Sequence, residues 1–175
     1  MERTGALRRI AVGYYVITPR AHIGDTTWRP PLEDLALAVA VADYGDDAAL
    51  MGLSAARYHG AVPRAHAMAW IATNVSRRRL DAGTYGRITF VTRKVEALDL
   101  VRARSELATG WVTSIEQTAL DLMRHPEWAA GPRPATEAVT RLIPRCDDDL
   151  LDELAAAQRG KAALARARAD FAELT

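Results

Sequence analysis

The feature that most constrains this chain is the run Leu35–Ala42, eight apolar residues in succession. At helical spacing Leu32, Leu35, Ala36, Val39 and Ala40 form one stripe, yet Leu37 and Val41 are apolar on the remaining faces. A helix that is apolar nearly all round has to be covered on most sides. The run is far shorter than the about 20 residues that span a bilayer, so it predicts a buried core helix. Pro31 suits the first turn, where a missing N–H costs nothing. The cover has to come from the rest of the 175 residues, 49% of which are apolar, an ordinary fraction for a globular chain. That length fits one domain or one and a half, against about 100–200 residues per domain.

The other segments mix periods. Arg9–Val12 and Tyr14–Thr18 are rich in β-branched and aromatic residues around Gly13, which predicts a β-hairpin that Pro19 stops. Residues 20–31 read as a loop. Asp46 or Asp47 is predicted to cap a short helix through Met51, with Gly52 breaking it. Ser54 is then expected to cap Ala55–His59, ended by Gly60. Met68–Ala72 and Arg87–Thr92 alternate like strands, and a short strand is expected around Trp111–Val112. Ser114-Ile115-Glu116-Gln117 is a capping box opening a helix that Pro126 closes. Gly131, Pro132 and Pro134 predict a linker before a helix over Ala135–Ile143. Asp148–Leu174 reads as helical, with Gly160 a weak point of about 1 kcal/mol against alanine. Strands and helices do not alternate regularly, so the expected class is α+β, a small mixed or antiparallel sheet packed with helices.

A survey for chemistry is mostly negative. The single cysteine, Cys146, leaves no internal disulfide and no cysteine-based zinc site. Glu2, Arg3 and Thr4 do not lead into the apolar core of a secretory signal, so a cytoplasmic location is expected and no membrane partner. His22, His59, His66 and His125 lack metal-ligand spacing, so no metal site is predicted. Phosphate-binding glycine loops, nucleophile elbows, zinc-protease motifs and the protein-kinase signatures are missing from the sequence, and no catalytic residue is assigned. Asp121 falls one residue from the apolar stripe of the Ser114-capped helix. It has two readings, a structural hydrogen-bond acceptor or a chemical group, and no second acid or base stands at readable spacing.

Charge is the positive signal. The net charge is +1, but residues 60–105 carry +6 and residues 106–175 carry −4. Arg77, Arg78 and Arg79, with Arg87, Arg93 and Lys94 nearby, are the candidate partner-binding residues. Arginine's planar fork suits bidentate contact with carboxylate or phosphate. Three readings stand: an acidic protein face, nucleic-acid phosphates, or a solvated hairpin edge whose charge discourages strand pairing. Asp46–Gly60 has the outline of a helix-turn-helix, but only Arg57 suits base contacts, which favours core helices. Leu150, Ala157, Leu164 and Phe171 recur every seven residues. Lys161 and Arg168 at the competing positions favour a packed amphipathic helix over a zipper.

Four stretches together resemble AbiEi-type antitoxins, including the mycobacterial MenA-like members. They are Arg9–Pro19, Leu53–Gly60 (Leu-Ser-Ala-Ala-Arg-Tyr-His-Gly), the basic strand Arg87–Val91, and Val112–Leu122 with its Ser114, Thr118, Asp121 and Leu122. The resemblance covers about residues 7–145 and implies a wing-like hairpin over 1–19 left from a winged helix and an α+β core over 20–145; the helical reading of the tail adds a C-terminal helical segment over 146–175. It also implies an antitoxin that neutralises a cognate toxin of nucleotidyltransferase fold by acting on the toxin protein. Two alternatives accompany it: an atypical protein kinase that phosphorylates the toxin, and a DNA-binding autorepressor of the shared operon. No cofactor is expected, ATP and magnesium entering only with the kinase alternative. Only the wing of the winged helix is found, so the resemblance implies toxin neutralisation more than operator binding.

Overall fold

The computed structural model describes residues 6–173. Residues 1–5 of the expected hairpin part, including Glu2–Thr4, and residues 174–175 of the expected tail lie outside the described residues. The fold is α+β, with an N-terminal hairpin, a mixed sheet and helices that include a C-terminal one. The chain divides into two compact units. Unit 1 takes Met1–Leu50, Ala65–Glu96 and Arg102–Trp111; unit 2 takes Met51–Arg64, Ala97–Val101 and Val112–Thr175.

Unit 1 opens with β1 (Leu7–Ala11) and β2 (Tyr14–Ile17), an antiparallel pair that forms its own two-stranded sheet. Gly13 supplies the turn at φ +83°, a left-handed conformation that costs glycine little. The pair buries Ile10, Ala11 and Val16 and leaves Val12, Tyr15 and Ile17 exposed. The apolar run lies in α1 (Leu32–Tyr44), whose Leu35, Ala36, Leu37, Val39 and Ala40 are all buried, as its all-round apolarity requires. α1 packs on β4 (Met68–Thr73). It also lies so close to Gly110 that a Cβ there would fall 2.7 Å from Val41 Cγ2 and 2.8 Å from Leu37 Cδ1.

The main sheet has the order β5-β6-β4-β3-β8-β7, with β3 (Ala48–Met51), β5 (Leu80–Asp81), β6 (Arg87–Thr92), β7 (Leu100–Arg104) and β8 (Thr109–Thr113). β4 and β6 run parallel from Met68↔Arg87 to Thr73↔Thr92, while β5 pairs antiparallel with the start of β6. Two expectations fail at β3. Ala48–Met51 is a fully buried inner strand and not a helix, and a turn of 3-10 helix over Gly45–Asp47 precedes it. Four apolar residues covered on both faces carry no period, so helix and strand look alike in the sequence. The helix-turn-helix outline disappears with it.

Gly52 does not break a helix but starts α2 (Gly52–Tyr58), and Ser54 lies buried inside α2 instead of capping it. Gly52 sits at φ +58°, and a Cβ would fall 2.7 Å from the Trp128 carbonyl oxygen. Unit 2 is built round α3 (Ile115–Arg124), against which α2, α4 (Pro132–Leu142), α5 (Asp148–Ala157) and α6 (Lys161–Glu173) pack. α4 begins at Pro132, ahead of the expected Ala135, since proline is at home in a first turn. The expected continuous tail helix is two helices. At Gly160 a Cβ would lie 2.6 Å from Leu120 Cδ1, so the glycine marks a corner pressed against α3. Leu120, Leu151, Ala155 and Leu164 form the buried cluster there, with Met123, Cys146 and Leu154 packed on it.

Candidate functional site

Of the six basic residues singled out, Arg77 has its side chain engaged within unit 1. Its guanidinium bonds the Asp43 carboxylate and the Tyr14 hydroxyl, and Nη1 donates to the Tyr44 hydroxyl at 3.3 Å. The Tyr14 hydroxyl in turn donates to Asp43 Oδ2 at 2.6 Å. The same guanidinium lies 4.5 Å from the Phe90 ring centroid and 5.6 Å from those of Tyr14 and Tyr44. Aromatic faces and a carboxylate thus surround one cation, each contact favouring the charge. Burial works against the Arg77 charge, but the bonds from Asp43, Tyr14 and Tyr44 outweigh it and raise the pKa. Burial, then the bond to Asp43, holds the Tyr14 phenol above its ordinary value.

The other basic residues are spread along β6 and the segment beside it and do not converge on a point. Arg78 and Arg79 are exposed in the segment that leaves β4 and returns to β5 alongside β6. Arg87 opens β6 opposite Asp81, while Arg93 and Lys94 follow its far end; Lys94 is exposed, Arg87 and Arg93 half-buried. Six residue steps along β6 and just past its end lead from Arg87 to Arg93, roughly 20 Å at about 3.3 Å per residue. The arrangement is an extended basic edge, suited to a broad surface more than to one small anion.

Unit 2 holds a different cluster. Ser114 caps α3 by accepting from the Gln117 N–H at 3.0 Å, as its position predicts. The return half of the capping box is not made. The Ser114 N–H donates to the Asp99 carbonyl at 3.0 Å, which frees the Gln117 side chain to turn inward. Its Nε2 donates to Asp121 Oδ1 at 2.9 Å and to Gln158 Oε1 at 3.0 Å, and Gln158 Nε2 donates back at 2.6 Å. Gln117 and Asp121 are fully buried. Asp121 is therefore an acceptor inside a bonded network, the structural one of its two readings. Thr113 and Thr118 share a hydroxyl–hydroxyl bond of 2.7 Å. His59 Nε2 donates to the Thr113 carbonyl at 2.7 Å, while Arg145 donates to the His59 carbonyl at 2.7 Å. Burial holds the His59 pKa below its ordinary value. Glu116 accepts from the Asp147 N–H at 2.9 Å and so ties the start of α5 to α3.

Among the described residues no group of three histidines, cysteines or carboxylates is placed to hold a metal ion. No helix among them is long and apolar enough to cross a membrane. Burial pushes the Cys146 thiol up to about 12, which keeps it protonated and unreactive. The sequence reading missed Tyr14, Asp43, Tyr44 and Phe90 as the companions of Arg77. It also missed Trp111, whose Nε1 donates to Asp46 at 2.8 Å while Arg102 stacks 4.5 Å from its ring centroid. These partners are tens of residues apart, so no local pattern joins them. The β7 strand offered only a weak local signal, apolar Ala103 between Arg102 and Arg104, because Val101 beside Arg102 is exposed and breaks the alternation.

The resemblance motifs of unit 2 now have roles: Leu53 and Ser54 lie buried in α2, His59 bonds the chain ahead of α3, and Ser114, Thr118 and Asp121 set α3 and its contacts. A comparison with curated proteins gives no match. A family model described as the AbiEi antitoxin C-terminal domain matches residues 47–170. The match takes in every one of these motifs and the basic edge, and it starts after the N-terminal hairpin. The chain belongs to the AbiEi antitoxin family.

Proposed function

We propose that this antitoxin neutralises a cognate toxin of nucleotidyltransferase fold by gripping the toxin protein, with the basic edge of unit 1 as a contact surface. The observation that carries the reading is the exposure of Arg78, Arg79 and Lys94 along one sheet edge of a family member. Guanidinium groups in such a row pair with carboxylates in a bidentate way and speed encounter with an acidic face. Operator DNA and phosphorylation of the toxin enter as outcomes of the test.

The test is co-expression with the nucleotidyltransferase-like protein encoded beside this chain. A stable complex and an unmodified toxin by intact mass are expected. Reversing Arg78 and Arg79 to glutamate should weaken both the complex and the rescue of growth. Full rescue by that double variant removes the basic edge from the contact. A phosphate-sized mass gain on the toxin, dependent on ATP, replaces gripping with modification. A salt-sensitive shift of promoter DNA without any toxin complex replaces it with repression.

A further inference from the structure

Arg77 stands in sequence with Arg78 and Arg79, but its environment separates it from them. It is half-buried while they are exposed. Its guanidinium is held by Asp43 at the end of α1 and by Tyr14 on the hairpin, and it lies against Phe90 on β6. We infer that Arg77 is a positioning residue: caged by Tyr14, Asp43, Tyr44 and Phe90, it sets the segment that presents Arg78 and Arg79 to the toxin, and makes that segment's conformation depend on the hairpin. The inference rests on the basic edge being the toxin contact.

The physical ground is the fork. One side of the guanidinium satisfies Asp43, the other satisfies Tyr14, and Tyr14 itself bonds Asp43, so three side chains close a ring of hydrogen bonds. An arginine committed in this way has fewer of its five N–H donors left for a partner's carboxylate than the exposed Arg78 and Arg79 have. The backbone that follows is pinned one residue before Arg78, which limits the directions Arg78 and Arg79 take. Pre-ordering of contact residues raises affinity by lowering the entropy lost on docking. Because Tyr14 belongs to β2, a ligand that shifts the hairpin changes the toxin contact, and the toxin changes affinity for that ligand by the same factor.

The experiment measures toxin affinity against ionic strength for the full chain and for Arg77→Gln, Tyr14→Phe and Arg78→Gln. It is accompanied by limited trypsin digestion of each protein alone. Arg78→Gln should lower affinity and flatten the salt dependence, because a partner-facing charge is lost. Arg77→Gln and Tyr14→Phe should lower affinity, each on the order of tenfold or less, with the salt dependence kept parallel to the native line. Trypsin should cut the native chain after Arg78 and Arg79 in preference to Arg77. Tyr14→Phe should raise the share of cuts after Arg77. An Arg77→Gln line as flat as that of Arg78→Gln overturns the inference, since Arg77 then meets the toxin itself. A Tyr14→Phe protein with native affinity and native cleavage also overturns it. If Arg78→Gln leaves affinity untouched, the toxin-contact reading is the one that fails, and the trypsin map alone still decides whether the cage sets the segment.

Discussion

Arg77 in unit 1 and Asp121 in unit 2 are both ionisable side chains enclosed by partners, and they are enclosed in opposite ways. Arg77 sits near the surface among aromatic rings, and the residues next to it in sequence stay exposed. Asp121 is fully buried, and its bonded neighbour Gln117 reaches on to Gln158 in the tail. The first arrangement holds a charged segment at the surface where a partner can reach it. The second spends its polar groups on joining α3 to the chain around it. A motif rich in polar residues is thus no guide to chemistry until its partners are known: the unit 2 motifs build the fold, while the less distinctive arginines face outward.

The contrast breaks most sharply under core substitution. Leu120→Ala, in the cluster with Leu151 and Leu164, should cost about 2–5 kcal/mol in denaturant unfolding. A loss well under that range means the α3–tail contact is not a packed core. Asp121→Ala leaves the Gln117 amide short of an acceptor and should cost about 1–3 kcal/mol. If Asp121→Ala instead folds normally but fails in rescue, Asp121 belongs with function and the contrast collapses. Gly52→Ala combines a left-handed φ with a Cβ clash on the Trp128 carbonyl, and a melting curve should show about 1–3 kcal/mol of destabilisation.

On the unit 1 side, Arg78→Glu with Arg79→Glu should stay within about 0.5 kcal/mol of native stability, as surface changes do. The loss should appear in toxin binding; a matching loss of stability would place these arginines in the fold. The smallest effect concerns His59. Its folded-state pKa lies below the unfolded value of 6.5, first because of burial, so protonation favours unfolding. Its contribution is complete above the unfolded value and is lost as pH falls through the folded one. Melting temperature measured from neutral to mildly acidic pH should therefore fall more steeply for the native chain than for His59→Gln. Parallel curves would show that the burial of His59 does not govern acid stability.

Legibility in the sequence followed the range of the interaction. The buried helix over Leu35–Ala42, the strand Arg87–Thr92 and the Ser114 cap were readable, because period and capping act within a turn or two. Ala48–Met51 was not, since a strand covered on both faces carries no alternation. Gln117 also escaped, because its inward turn depends on Asp99 supplying the Ser114 N–H with another acceptor. The exposed arginines Arg78 and Arg79 were legible as charge, but their difference from Arg77 was not.

By itself the sequence determined the α+β class, the buried α1, the ordered motifs of an AbiEi antitoxin and the basic stretch that follows β4. These depend on residue type and local spacing. Only the tertiary structure decided that Gly52 opens a helix, that Gly160 marks a corner, that Asp121 is a bonded acceptor and that Arg77 is caged. Tyr14 and Arg77 are 63 positions apart. No local rule of hydrophobic period or capping reaches that far; the two side chains are neighbours only in the folded arrangement of the hairpin and the segment after β4.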